Sequence, residues 1–159
     1  MDKIWAPWRK EYILQKKMKG CIFCTMPKED RDRENYIIKR TKSSFVMLNT
    51  YPYNNGHLMV APYKHTPDLS GLTNAELIDL MDLLKLSQRL LKKVLKPAGF
   101  NIGMNIGKSS GAGFTDHLHI HIVPRWQGDT NFMPVISDTK IVSESLDSLY
   151  RRLKDAQKI

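Results

Sequence analysis

The sequence predicts mixed α and β structure, with antiparallel strands that carry a long helix. Three stretches predict it. Residues 117–123 alternate histidine with Leu118, Ile120 and Ile122, and period two is the signature of a half-buried strand. Residues 44–48 and 57–62 are apolar runs joined by a loop dense in turn formers, with an Asn55-Gly56 step, which reads as a hairpin. Residues 73–95 carry leucines at helical spacing behind a Thr73-Asn74-Ala75-Glu76 capping box.

In order along the chain, the first aromatic segment, residues 5–13, holds Trp5 and Trp8 and is expected to pack on the domain or on a partner. Cys21-Ile22-Phe23-Cys24 follows. Two thiolates at this spacing can hold one zinc, can act as a redox pair, or can be inert buried thiols. Pro27 and the charged run 28–34 read as a loop. Residues 36–38 and 44–48 look like strands, and 57–62 like the return strand, opened by His57 and followed by His65. In the helix, Leu77, Ile78, Leu80, Met81, Leu84, Leu91, Val94 and Leu95 are expected to face the core, and Pro97 and Gly99 to stop it. Residues 100–106 alternate again and make a strand. The glycine-rich stretch 107–115 comes next. It has the Gly-Lys-Ser order but neither the spacing nor the following helix of a Walker loop, and its amides could converge on an anion. Pro124 should end the histidine strand, and Leu146, Leu149, Tyr150 and Leu153 predict an amphipathic closing helix.

With 159 residues the chain is long enough for a real core, and 25 basic against 16 acidic residues suit an anionic partner such as a nucleotide. The lysines are dispersed, which argues against a nucleic-acid arm, and no apolar run reaches membrane-spanning length. Two cysteines so close together do not staple a secreted fold, and no signal-peptide core is present, so a cytoplasmic location is expected.

Three of the five histidines share one strand face, about 6.6 Å apart. Such a row can be a polar face that happens to use histidine, a zinc or iron site, or a nucleophile with two supporting neighbours. The run His-Leu-His-Ile-His-Ile-Val at 117–123 resembles the motif of the histidine triad family at every position. The resemblance extends over residues 45–126, and the early Trp-Ala-Pro-Trp-Arg and the late Pro-Arg-Trp-x-Gly-Asp-x-Asn-Phe are similar to a bacterial subgroup that includes diadenosine tetraphosphate phosphorylases.

That resemblance implies an α+β fold with a five-stranded antiparallel sheet, and a homodimer. It divides the single domain into an arm (1–35), a core (36–126) and a C-terminal extension with its helix (127–159). It implies a dinucleoside polyphosphate substrate, with His119 attacking an α-phosphate to form an AMP-histidine and His121 donating to a phosphate or bridging oxygen. Leu48, Asn49, His57, Asn105, Gly111, Ala112, Gly113 and Thr115 match nucleotide- or phosphate-site positions. Zinc is implied at Cys21, Cys24, His65 and His117. Many phosphoramidase members carry Ser or Thr where this chain has Phe114, so the resemblance favours the phosphorylase subgroup. Adenosine phosphoramidase, general nucleotide hydrolase and non-catalytic nucleotide sensor are the alternatives, and a metal hydratase is the weakest.

Overall fold

A computed structural model describes residues 20–111, 113–130 and 141–157. The tryptophan-bearing segment 5–13, Ala112 and the end of the Pro-Arg-Trp run (from Asn131) lie outside the described residues. Five strands form one sheet: β1 (Ile37–Arg40), β2 (Ser44–Leu48), β3 (Leu58–Pro62), β4 (Gly99–Met104) and β5 (Ile120–Arg125). The order is β1-β2-β3-β5-β4, and every neighbouring pair is antiparallel. A single turn, α1 (Ile22–Thr25), precedes the sheet; α2 (Asn74–Leu95) links β3 to β4, and α3 (Leu146–Ala156) closes the described chain. The α+β, five-stranded expectation holds.

Alternation sorts the strands onto two faces. Val46, Leu48, Leu58, Val60, Ile120 and Ile122 pack under α2 and α3, with Leu80, Leu83, Leu84, Leu90, Leu91, Leu149 and Leu153. Each fully buried leucine contributes about 1.5–3 kcal/mol. Phe45, Met47, Met59 and Ala61 point the other way and form a second cluster under Phe23 of α1. Because β2 and β3 are covered on both faces, they read as continuous apolar runs rather than as alternation.

The capping box is formed: the Thr73 amide donates to Glu76 Oε2 at 2.8 Å, and the Glu76 amide to Thr73 Oγ1 at 3.3 Å. Two helix residues correct the sequence reading. Ile78 and Met81 are 63% and 49% exposed, on the solvent side of α2, because the buried stripe runs through Leu80, Leu83 and Leu84 instead. Pro124 also lies inside β5, opposite Phe100, and not at its end. In an antiparallel strand the N–H and C=O of one residue point the same way. The Pro124 carbonyl accepts from Asn54 Nδ2 at 3.0 Å, on the side where β3 has already ended at Leu58. No strand partner there needs the missing amide.

The same asparagine fixes the β2–β3 loop over the end of β5. Gly56 closes that loop with φ +80°, and a Cβ there would meet Leu95 Cδ1 at 2.5 Å. Only glycine fits so close to α2. This clamp delivers His57 to the second face of the sheet.

Candidate active site

Strand register lays out the site as rows across the second face. Asn49 follows Leu48 and bonds its amide to the His57 carbonyl at 2.9 Å. Met59 lies opposite His121, and Gly103 opposite His121 from the other side. One step further, Asn101 lies opposite Val123. Asn49, His57, Val123 and Asn101 therefore form one row, and Met47, Met59, His121 and Gly103 the next. His119 and His117 precede the regular part of β5, held by the Leu118 amide, which donates to the Thr66 carbonyl at 2.6 Å. All three histidines share the face that the alternation predicts.

Fixed backbone groups assign the protons. His119 Nδ1 lies 2.9 Å from the His117 carbonyl, which can only accept, so Nδ1 carries the proton and Nε2 keeps a lone pair. His57 Nδ1 receives the Tyr53 amide at 3.1 Å, so the His57 proton sits on Nε2 and is donated to His121 Nδ1 at 2.9 Å. His121 then carries its own proton on Nε2. The His119 and His121 rings stand 4.8 Å apart, one with a free in-plane pair and the other with an N–H. Phe23 stacks on His119 at 4.6 Å and 27°, and Phe114 meets Phe23 edge-on at 5.7 Å. The His119 ring is 4% exposed. Phe23 covers one face of the ring, and the Nε2 pair lies in the ring plane.

Burial keeps these rings neutral. His57 is pushed down to about 3, first by burial and then by its histidine neighbours, and His121 to about 4, chiefly by burial. Burial also lowers His119, with the His117 carbonyl bond partly opposing it. A histidine whose folded value is depressed makes the unfolded chain bind more protons at intermediate pH. The contribution of these rings to stability is therefore constant above the ordinary value of about 6.5 and falls as pH drops towards 3; His57 alone accounts for on the order of 5 kcal/mol over the whole window. Urea melts from pH 7.5 to 4.5 should show that fall, with a shallower slope for His57→Gln. A wild-type profile that stays flat overturns the neutral relay.

A second cluster lies at the other end of the row. His117 Nε2 donates to the Pro62 carbonyl at 2.9 Å, which leaves Nδ1 as a lone-pair donor. That nitrogen lies 3.3 Å from Cys21 Sγ, 3.4 Å from Cys24 Sγ and 3.2 Å from His65 Nδ1. Cys24 Sγ is 3.3 Å from His65 Nδ1, and all four ligand atoms fall within 4.8 Å of one another. Zinc bonds of about 2.3 Å to sulfur and 2.0–2.1 Å to nitrogen in a tetrahedron put ligand atoms roughly 3.3–3.8 Å apart. The donor set and its spacing fit zinc. The chain would supply both thiolates, and burial raises the Cys21 thiol, so that proton must leave on binding.

The remaining sequence candidates divide. Asn49 Nδ2 reaches His57 Nδ1 at 3.3 Å, on the histidine face. Asn105 is half-buried just past Met104, whose partner is Ile120. Gly111 (φ +81°), Gly113 and Thr115 belong to the loop that leads into the triad, and Thr115 Oγ1 donates to Asp116 at 3.0 Å. Ala112 lies outside the described residues. Leu48 is a correction: its side chain is fully buried beneath α2, on the opposite face, because alternation gives the site face to Phe45 and Met47. Phe23 and Tyr53 also touch the histidines, and the sequence reading gives them no role in the site. A large aromatic between two candidate ligands, as in Cys21-Ile22-Phe23-Cys24, was the available signal for Phe23.

The profile of the HIT domain matches residues 31–128. The chain belongs to the HIT domain family. Among its relatives, AP-4-A phosphorylase of Mycobacterium tuberculosis (strain H37Rv) is 36% identical over 162 residues, covering 96% of this chain and 83% of that protein. The asymmetrical bis(5'-nucleosyl)-tetraphosphatase of Schizosaccharomyces pombe is 33% identical over 115 residues, covering 72% of this chain and 63% of that one. Among solved structures, a Zn-bound histidine triad family protein from Mycobacterium smegmatis superposes with a TM-score of 0.70 at 25% identity, covering 87% of this chain and 94% of that one. This HIT chain thus shares the fold of solved histidine triad proteins.

Proposed function

We propose that this chain is an enzyme that splits dinucleoside polyphosphates through an AMP–His119 intermediate, and that phosphate is its preferred acceptor. One observation carries the reading: the His117 carbonyl ties up His119 Nδ1–H and leaves the Nε2 pair beside the His121 N–H. Nε2 attacks the α-phosphorus, and the P–O bond to the remaining polyphosphate breaks with its electron pair on oxygen. A polyphosphate leaves as an anion and needs no added proton; a hydrogen bond from His121 Nε2–H is enough. An amine leaving group would need a proton, and three residues before His117 this chain has Phe114 where a hydroxyl could supply one. In the second step a phosphate oxygen attacks the same phosphorus, releases ADP and restores His119. Phosphate is already anionic, whereas water would need a base. The names of the two relatives support this substrate class. Incubation with diadenosine tetraphosphate should give ATP and ADP when phosphate is present, and far slower release of AMP when it is absent. Equal rates of AMP release in both conditions would mean a hydrolase, and no turnover in either would remove the reading.

Zinc is proposed at Cys21, Cys24, His65 and His117 as a closed structural ion, supported by their spacing and by the Zn-bound relative. Thiols kept as ligands suit a cytoplasmic setting. A homodimer is proposed through the β4 edge, where Ile102, Met104 and Ile106 are 45%, 37% and 46% exposed at the end of the sheet. A solution mass of one chain would remove it.

A further inference from the structure

Beyond His121 the second face continues into a cleft that none of the roles above uses. His119, His121, Val123 and Arg125 lie at every second position, so Arg125 is on the histidine side, about 13 Å past His121. Tyr53, Asn54, Asn101, Val123, Arg125 and Thr130 line an open cleft of about 260 Å³. Asn101 shares the face because it lies opposite Val123. Tyr53 is the common wall. Its ring is 4.5 Å from His57 and 5.6 Å from His121, yet it is 56% exposed.

We propose that this cleft is the subsite for the distal nucleoside of a dinucleoside polyphosphate, the half that departs from phosphorus. The inference rests on the reading under Proposed function. A leaving chain that passes alongside His121 would run towards the cleft, which follows His121 along the same face of β5. Asn49 lies on the other side of His57, over β2, so the two halves of the substrate diverge from the histidines. The cleft is smaller than the ~300–1,000 Å³ of whole-ligand pockets, a size for one nucleoside and not for a dinucleotide.

Its chemistry favours an uncharged group over a phosphate. Arg125 Nε and Nη2 donate to the Asp129 carboxylate at 2.6 and 2.8 Å, and Nη1 donates to Asn101 Oδ1 at 2.7 Å. Asn54 Nδ2 anchors the same carboxylate at 2.8 Å. Asp129 cancels the guanidinium charge and holds it still. Among the described residues these three bonds use three of the five N–H groups of Arg125, and the other two can meet a base edge or a ribose hydroxyl. An exposed tyrosine ring beside them is a platform on which a base can stack, worth ~1–3 kcal/mol.

The test compares two substrates that share the same reacting phosphate. Adenosine 5'-tetraphosphate has the full phosphate chain of diadenosine tetraphosphate and lacks the distal nucleoside. For the wild-type enzyme, KM should be about tenfold lower for the dinucleotide, the equivalent of ~1.4 kcal/mol. Asn101→Trp, which fills the cleft from β4, and Thr130→Trp, which fills it from another lining residue, should each collapse that preference. Either variant suffices, and the wild-type comparison needs neither. Turnover of both substrates with equal KM overturns the subsite and leaves the proposed reaction standing. A preference that survives in a folded tryptophan variant also overturns it. Turnover of neither by the wild type overturns the reaction, and the subsite with it.

Discussion

His119→Ala should abolish turnover of diadenosine tetraphosphate, by about 10⁴-fold or more, the scale seen when a covalent nucleophile is removed. Backbone carbonyls free one nitrogen on His119 and one on His117, and that of His119 is the one not turned towards the cysteines. His117 spends Nε2 on the Pro62 carbonyl and turns Nδ1 towards the cysteines. His121 spends Nδ1 on His57. Rapid denaturation of the wild-type enzyme during turnover should trap a protein heavier by one AMP, with the adduct on the peptide that contains residue 119. In His119→Ala that adduct should be missing. His121→Ala should still form it, more slowly, because a polyphosphate can leave without a proton. Full activity in His119→Ala would move the nucleophile elsewhere. Loss of the adduct in His121→Ala alone would make His121 the attacking ring.

The contrast between those variants depends on proton placement, and that was only half visible beforehand. The alternation of residues 117–123 announced a shared face because strand periodicity is local. The Thr73–Glu76 box likewise announced the start of α2, since its two hydrogen bonds close within one turn. What decides tautomers is not local. The Tyr53 amide that orients His57 comes from the loop that Asn54 clamps to Pro124, and the contact between Phe23 and His119 joins residues 96 positions apart. Leu48 illustrates the same limit. Its neighbour Asn49 is on the histidine face, but a one-residue step in a strand reverses direction, so a matched pair of positions cannot both line the site with side chains. Ile78 and Met81 failed for a related reason: a helix with apolar residues on more than one side does not say which stripe the sheet will cover.

Metal removal should cost far more stability than activity. The four candidate ligands come from α1, the loop after β3 and the segment leading into β5, so an ion there ties three separate parts of the chain. A bound ion stabilises by about 4 kcal/mol when present at a thousandfold excess over its Kd, which for a domain of this size is roughly 8–16 °C in Tm. Strong chelators, or Cys24→Ser, should lower the melting temperature by that amount, and metal analysis of the purified wild-type protein should find zinc that the variant lacks. On the proposed reading the ion would supply no step to the reaction, so the surviving folded protein should keep its covalent chemistry. Its efficiency should fall by a modest factor all the same. His117, whose Nδ1 would face the metal, also offers its carbonyl to His119, and Phe23, which stacks on His119, sits between the two cysteines. Slackening that corner loosens the attacking ring without removing it. A chelator that leaves Tm unchanged in protein shown to contain zinc would place the ion elsewhere, and activity lost to the degree of His119→Ala would make the ion part of the chemistry.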